Sequence, residues 1–378
     1  MAVEQREVVI VGAGIAGASL AYFLAELGVK NVLLIEREAR AAHHASGRSA
    51  EALVEVDEDP VWQRLVDEGA RFMRQPPPGV ARTPLCRPSG VINLIDAAER
   101  GPLEASLPAL RWRGIEIDIL DPRQVVALLP FITARGFAGA MSLPRSGRLM
   151  VSALMAGYLG MARARGVETW LSTDVTAVEH AGGRVSGVVT TRGQVRCRTL
   201  VCAAGAWAGE LGRMARAAPI AFSALRRTVI SFDAPAGAVV EGWPLVSFDS
   251  RGIYFAPEGK GLLASPMDED PVTPCDATPV SARVDQTIAR MADLAAALRP
   301  TGLRGARAGL RTFAPDRRPV LGEDPLVPGF VWLAGQGGRG IETSPALGRL
   351  AAMLVTRGSF DEPDLERVIS PRRFPAVE

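Results

Sequence analysis

The stretch Val8-Val9-Ile10-Val11-Gly12-Ala13-Gly14-Ile15-Ala16-Gly17 constrains this chain more than any other. An apolar run of strand length flows directly into three glycines. A helical pattern follows through Ala18, Leu20, Ala21, Phe23, Leu24 and Leu27, and stops at Gly28. A second strand then runs from Asn31 to Ile35 and ends on Glu36. Gly12 permits the tight strand-to-helix turn, Gly14 lets the backbone approach a pyrophosphate, and Gly17 lets the helix pack close to the strand. The N–H groups at the helix start, with their share of the helix dipole, hold phosphate charge. Glu36 stands where an acid accepts hydrogen bonds from an adenosine ribose. A lone GxGxxG says little. One that follows a strand, opens a helix and reaches an acid about 20 residues on marks a dinucleotide site.

A chain of 378 residues can hold two lobes, each with its own core. Hydrophobic residues make up 48% of it, which excludes a disordered chain. A net charge of +2 with scattered arginines argues against a nucleic-acid partner. Cys86, Cys197, Cys202 and Cys275 have no CxxC spacing, and His43, His44 and His180 are the only histidines. No metal site is expected from them. Reduced thiols fit a cytoplasmic protein. Glu4, Arg6 and Glu7 precede the first strand, which ends in the glycine loop rather than in a cleavage site. No apolar stretch reaches the roughly 20 residues that span a bilayer, which leaves peripheral membrane association open.

Periodicity predicts a helix over 60–74, broken by Gln75-Pro76-Pro77-Pro78-Gly79. It predicts a strand over 91–95 and helices over 122–129 and 150–165. Residues 168–178 read as a strand pair, 184–189 and 194–198 as a hairpin, and 200–207 as a buried strand entering a glycine turn. Strands follow at 228–232, 245–248, 252–255 and 262–264, then a long helix over 279–298. A buried strand over 330–334 opens into Gly335-Gln336-Gly337-Gly338-Arg339-Gly340, with a helix over 344–356 behind it. The pattern is α/β at both ends with a β-rich middle. A nucleotide-binding lobe is therefore expected from discontinuous pieces, 1–80, 145–217 and 305–378, with a second lobe from 81–144 and 218–304.

NAD and FAD share the first fingerprint. Three further features favour FAD: Ser46-Gly47-Arg48-Ser49-Ala50 after Glu36-Arg37-Glu38, the small-residue turn after Val201-Cys202-Ala203-Ala204-Gly205-Ala206-Trp207, and a second glycine loop before a helix at 335–340. With Ala308-Gly309-Leu310-Arg311 and Ser370-Pro371-Arg372-Arg373, this ordered set resembles the FAD-dependent amino-acid oxidoreductases over nearly the whole chain. That family includes D-amino acid oxidase, glycine oxidase, sarcosine oxidase and the D-amino acid dehydrogenases, and the likeness is greatest to the bacterial D-arginine dehydrogenase branch. The resemblance implies an α/β fold: a Rossmann-like FAD-binding domain of the glutathione-reductase type, with an inserted antiparallel β-sheet substrate domain (an α+β second lobe). It implies non-covalent FAD along Gly12, Gly14, Ile15, Ala16, Gly17, Glu36, Arg37, Ser46, Gly47, Ser49, Ala50 and Val175, and along Ala204, Gly205, Trp207, Gly335, Gly337, Gly338, Gly340, Ile341 and Thr343. The cysteine that sarcosine oxidases use for covalent attachment falls near Ala308 or Gly309.

The implied reaction is oxidative deamination of a D-amino acid, glycine or an N-substituted amino acid. A hydride passes from the α-carbon to flavin N5, and the imine hydrolyses to a 2-oxo acid. Oxygen or a quinone would take the electrons. Arg311 matches the family's carboxylate-binding arginine, Tyr254 a tyrosine at the same carboxylate, Arg226 or Arg227 an arginine near the substrate, and Gly338 the turn beside the flavin. Arg339 could face substrate, flavin or solvent. Some positions depart from the D-arginine branch: Ser89 replaces its acid, and Ala52 and Asp57 replace its active-site histidine and lid tyrosine. Asp57 lies among Glu51, Glu55, Glu58 and Asp59, read as a solvated lid or as acids that meet an amine, and His43 and His44 read as loop residues. Three other functions stay open: a 2-hydroxy acid dehydrogenase, a flavoprotein subunit of a hetero-oligomeric dehydrogenase, and a flavoprotein without turnover.

Overall fold

A computed structural model describes residues 3–132 and 136–375. The strand β1 (Glu4–Val11) lies inside an eight-stranded sheet. It pairs in parallel with β2 (Val32–Ile35) on one side and with Gly193–Cys202 on the other. Glu168–Trp170 extends the parallel set beyond β2, and Phe330–Ala334 extends it beyond Gly193–Cys202. Strands buried on both faces need continuous apolar runs, and Val8, Val9 and Ile10 provide one. Ile10, Leu34 and Val201 meet Leu20 and Leu24 of the crossover helix α1 (Ile15–Glu26) and Leu347 and Leu350 of the helix Gly340–Arg357. Val9, Leu33, Phe330 and Trp332 fill the opposite face. Each such side chain contributes about 1.5–3 kcal/mol by leaving water.

α2 (Pro60–Arg74) starts as its sequence suggests, with Pro60 in the first turn and the Asp59 carboxylate accepting from Val61 N at 2.8 Å. α3 (Ala97–Trp112) was not expected, because Pro102 and Pro108 read as breakers. Its signal was the capping box Asp96-x-x-Glu99. The last long helix begins at Gly340, ahead of the expected 344. Pro345 has no N–H for the Ile341 carbonyl, and the Ser344 hydroxyl serves that carbonyl instead at 2.9 Å. The strands expected as a pair over 168–178 do not pair with each other. The chain turns at Ser172 (φ +49°), Glu168–Trp170 joins β2, and Val175–Ala181 joins Arg184–Thr190 at the far edge of the sheet.

The second sheet has nine strands and is antiparallel except where Leu245–Phe248 runs beside Val91–Ile95. Alternation gives it two apolar faces. Ile230, Phe232, Phe255 and Ala264 pack under Met291 and Leu294 of the helix Ser281–Leu294. Val229, Tyr254, Leu263 and Met141 face the other way, toward Ala50, Ala52, Val54 and Val56. Leu303–Phe313 pairs with Ser223–Asp233 along its length, so the second sheet continues past the expected break at 304/305 as far as Phe313. Among the described residues no helix is long and apolar enough to cross a membrane.

Candidate active site

A cavity of about 1430 Å³ lies between the two sheets. It exceeds the roughly 300–1,000 Å³ of an ordinary small-ligand pocket. One end is built by the turn after β1. Gly12 has φ +107°, and a Cβ there would meet Ala203 O at 2.4 Å. A Cβ on Gly17 would meet Gly12 O at 1.9 Å, so that glycine sets the helix-to-strand approach from behind the wall. Ser46 Oγ accepts from Ile15 N at 3.0 Å, one of the four donors that a helix start leaves over. The carboxylate of Glu36 is fixed by Ala13 N at 2.8 Å and Glu38 N at 3.0 Å. Arg37 lies 3.6 Å over the Trp207 ring, and His44 packs on the same indole at 4.7 Å.

Gly12, Gly14, Ile15, Ala16, Glu36 and Arg37 line the cavity, as do Ser46, Ser49, Ala50 and Val175. So do Ala204, Gly205 and Trp207, with Gly337, Gly338, Gly340 and Ile341 across from them. Gly17, Gly47, Gly335 and Thr343 stand outside the lining. Thr343 is fully buried and its hydroxyl donates to Arg339 O at 2.8 Å. Glu38, His43 and His44 converge, with their ligand-type atoms within 4.8 Å of one another, a grouping the cysteine-based reading of the sequence missed. Arg37 approaches Glu38 at 3.5 Å and Arg40 reaches His43 at 3.4 Å, so cationic charge already occupies this group.

At the other end, Arg227 stands opposite Gly309 and Arg311 opposite Leu225, which places both arginines on the cavity face of adjacent strands. Arg226 points to the other face and does not line the cavity. Arg227 is 7% exposed; its Nε donates to Asp268 O at 2.8 Å and its Nη2 to Glu269 at 3.3 Å. Arg311 makes no hydrogen bond or ion pair with another described residue. Burial, helped by the charge of Arg227, pushes its pKa down to about 10, which still leaves a cation at neutral pH. Gly338 covers it so closely that a Cβ there would lie 2.8 Å from Arg311 Nη1. The Tyr254 hydroxyl is buried on the same wall without a partner, and so is Gln336 Nε2, which sequence reasoning left out. A largely desolvated cation and a buried donor, both unmatched among the described residues, are costly unless an anion arrives.

Arg339 closes a third wall. It lines the cavity, binds Asp57 and Glu342 (2.6 Å) and donates to Val56 O at 3.2 Å, so its charge is already met by protein carboxylates. Burial works against its charge, but Glu342 and Asp57 outweigh that and raise its pKa. The reading of Asp57 as part of a solvated lid is thereby corrected: Asp57 lines the cavity and forms an ion pair there. Ser89 lies off the cavity, while Ala52 is on it. Apolar side chains from the unexpected α3, Leu103 and Leu110, join Val54, Val56, Met141 and Leu245.

The model of a family described as FAD dependent oxidoreductase matches residues 7–354. The chain is 26% identical over 394 residues to the mitochondrial pyruvate dehydrogenase phosphatase regulatory subunit of Mus musculus, covering 99% of this chain and 44% of that one. It thus spans less than half the length of that relative. Among solved structures, L-proline dehydrogenase from P. horikoshii superposes with a TM-score of 0.86 at 20% identity, covering 97% of this chain and 96% of that one. Glycine oxidase from Geobacillus kaustophilus gives 0.82 at 24%, covering 95% and 98%. The glycine cradle that no Cβ could enter, the fixed Glu36 carboxylate and the cavity volume all fit the dinucleotide that such proteins hold. The chain belongs to the FAD dependent oxidoreductase family.

Proposed function

We propose that this protein oxidises the C–N bond of an amino acid, a D-amino acid, glycine or an N-substituted amino acid, to an imine that water hydrolyses to a 2-oxo acid. One observation carries the reading: Arg311 is a half-buried cation with no partner among the described residues, beside a buried tyrosine hydroxyl with none. A substrate carboxylate supplies both. The planar guanidinium takes it through two parallel hydrogen bonds and Tyr254 donates a third. Gly338 lacks the Cβ that would push Arg311 aside. Val54, Val56, Leu103 and Leu110 keep water from the reacting carbon.

FAD would lie along the cavity-lining residues of the first sheet, its ribose on Glu36 and its pyrophosphate over Gly12, Gly14 and the start of α1. When bound, it supplies hydride acceptance at N5. In this reading the first sheet and its helices carry the cofactor and the second sheet, Leu303–Phe313 included, carries the substrate. The structural neighbours named for proline and glycine support an amino-acid substrate. The relative named as a regulatory subunit favours a second reading, a flavoprotein that serves a partner without turnover of its own.

The test is a visible spectrum of the purified protein, then anaerobic addition of D- and L-amino acids, glycine, sarcosine, proline and 2-hydroxy acids. Bleaching of bound flavin by amino acids supports the proposal. Bleaching by hydroxy acids alone moves the reaction to CH–OH, and a yellow protein that nothing reduces favours the second reading.

A further inference from the structure

The side chains read as substrate contacts and those read as cofactor contacts stand on different sheets. Arg227, Tyr254 and Arg311 come from Ser223–Asp233, Ile253–Glu258 and Leu303–Phe313, all in the second sheet. Gly12, Gly14 and Ile15 belong to the turn after β1, and Ser46 to a turn packed on it. Hydride transfer needs the substrate carbon and the flavin held closely against each other, and an error of about 1 Å can cost about 100-fold in rate. A strand of the second sheet must therefore be fixed against a turn of the first.

Arg48 spans that gap. It lines the cavity, its side chain is 17% exposed, and the contacts proposed for substrate do not use it. Its Nε donates to His43 O at 3.2 Å, within its own turn. Its Nη1 donates to Ala308 O at 3.1 Å and to Ala277 O at 3.0 Å, and its Nη2 donates to Asp276. These bonds occupy all but one of the guanidinium N–H groups with protein oxygens. An arginine that waits for phosphate keeps its fork free.

Both ends of the span are anchored. Ala42 (φ +55°) donates from its N to Ala13 O at 3.1 Å, and Gly47 N donates to His44 O at 3.0 Å. A Cβ on Gly47 would meet Ala42 O at 2.2 Å, so the turn closes on itself. Across the gap, Ala277 and Ala308 are buried in one cluster with Leu310. Gly309 passes so near the turn that a Cβ on it would lie 3.5 Å from Ala45 Cα. Beyond Arg311 there is another tie, from Gly337 N to Thr312 O at 2.8 Å. Arg311 thus lies between a tie at Ala308 and a tie at Thr312, and Arg48 makes the first.

We propose that Arg48 is a positioning residue: it sets the strand that carries Arg311, and with it the α-carbon of the substrate, against the flavin. It acts through Ala308 and Ala277 and not on the substrate. This rests on the amino-acid reading above. Without Arg48 the strand still hangs on Thr312, the carboxylate contacts stay together within the second sheet, and the cofactor contacts stay together within the first. What is lost is the placement of one set against the other.

The experiment uses FAD-loaded Arg48→Met and Arg48→Lys with whichever amino acid of the panel above bleaches the parent fastest. Anaerobic stopped-flow bleaching separates the limiting rate from the apparent affinity. We expect the limiting rate to fall by about 10- to 100-fold in both variants, with the affinity for that amino acid and for benzoate, a non-reacting carboxylate, changed less than about 3-fold. Lysine keeps the charge but lacks the planar fork that reaches both carbonyls, so it should not restore the rate. Amide hydrogen exchange over 42–50 and 272–280 should quicken by at least about 10-fold in both variants. Retained flavin absorbance shows that they are folded. Full rate in Arg48→Lys, release of FAD by Arg48→Met alone, unchanged exchange, or a loss that falls on affinity and not on rate overturns the positioning role. No reduction of the parent by any amino acid removes the underlying reading, and the exchange then decides by itself whether Arg48 joins the turn to the strand.

Discussion

Arg311→Met tests the assignment of the carboxylate anchor through stability as well as rate. In the free protein the guanidinium is half-buried and unpaired among the described residues, and its pKa is lowered from the usual 12.5 to about 10. At about 1.36 kcal/mol per tenfold change in proton affinity, the folded state carries a penalty of about 3 kcal/mol for keeping this charge. The penalty is present at every pH below 10 and fades as the pH rises toward 12.5. Methionine keeps the apolar stem and drops the charge. Urea denaturation at pH 7.5 should therefore show the variant more stable by about 1–3 kcal/mol, against the usual direction for a buried substitution. Reduction of the flavin by amino acids should fall by about 100-fold or more, the loss of a bidentate charge-assisted contact. A non-reacting carboxylate at 100 times its Kd should stabilise the parent protein by about 2.7 kcal/mol and leave the variant unchanged. A less stable variant, or one that keeps its substrate affinity, would falsify the claim that Arg311 waits for an anion.

Three further substitutions probe the rest of the cavity. Gly338→Ala puts a methyl 2.8 Å from Arg311 Nη1, so substrate affinity should drop by about 10-fold in titrations while the flavin spectrum stays that of the parent. Glu36→Gln keeps an acceptor for only one of the two amides at 2.8 and 3.0 Å and removes the charge, so dialysis should release FAD at least about 10-fold more readily. Arg339→Met strands Glu342, which is 5% exposed and whose pKa burial already raises against the pull of Arg339. Breaking this pair should destabilise by about 3–5 kcal/mol at pH 8. Since the folded-state pKa of Glu342 is the raised one, the folded variant takes up a proton first as pH falls, and the deficit should shrink toward pH 5. A loss that is the same at both pH values would show that Glu342 is not the stranded group.

The legibility of this chain followed the length scale of each cause. The turn from β1 into α1 could be read because its glycines answer to steric rules within a few residues: a Cβ at Gly12 or Gly17 has no room whatever else the chain does. α3 could not be read, because its two prolines outweigh propensity and only the capping box at Asp96 and Glu99 speaks for a helix. The fate of 168–181 was also hidden. Both segments are strands by composition, but partner choice depends on which edge of the sheet is free, and that is a property of the whole fold.

At the site, candidates could be named from the sequence and their pairing could not. Arg311, Tyr254 and either Arg226 or Arg227 came from the family resemblance, and strand register then showed that Arg227 and not Arg226 shares a face with Arg311. What the sequence could not show is which charges cancel. Arg339 and Asp57 are open readings along the chain, and folding consumes both in one cluster with Glu342. The chemistry of a cavity like this one is the residue of a subtraction: ion pairs made within the protein fix its walls, and the charges left unpaired describe the ligand. Here the remainder is the cation of Arg311 beside the unpartnered Tyr254 hydroxyl, the outline of a carboxylate.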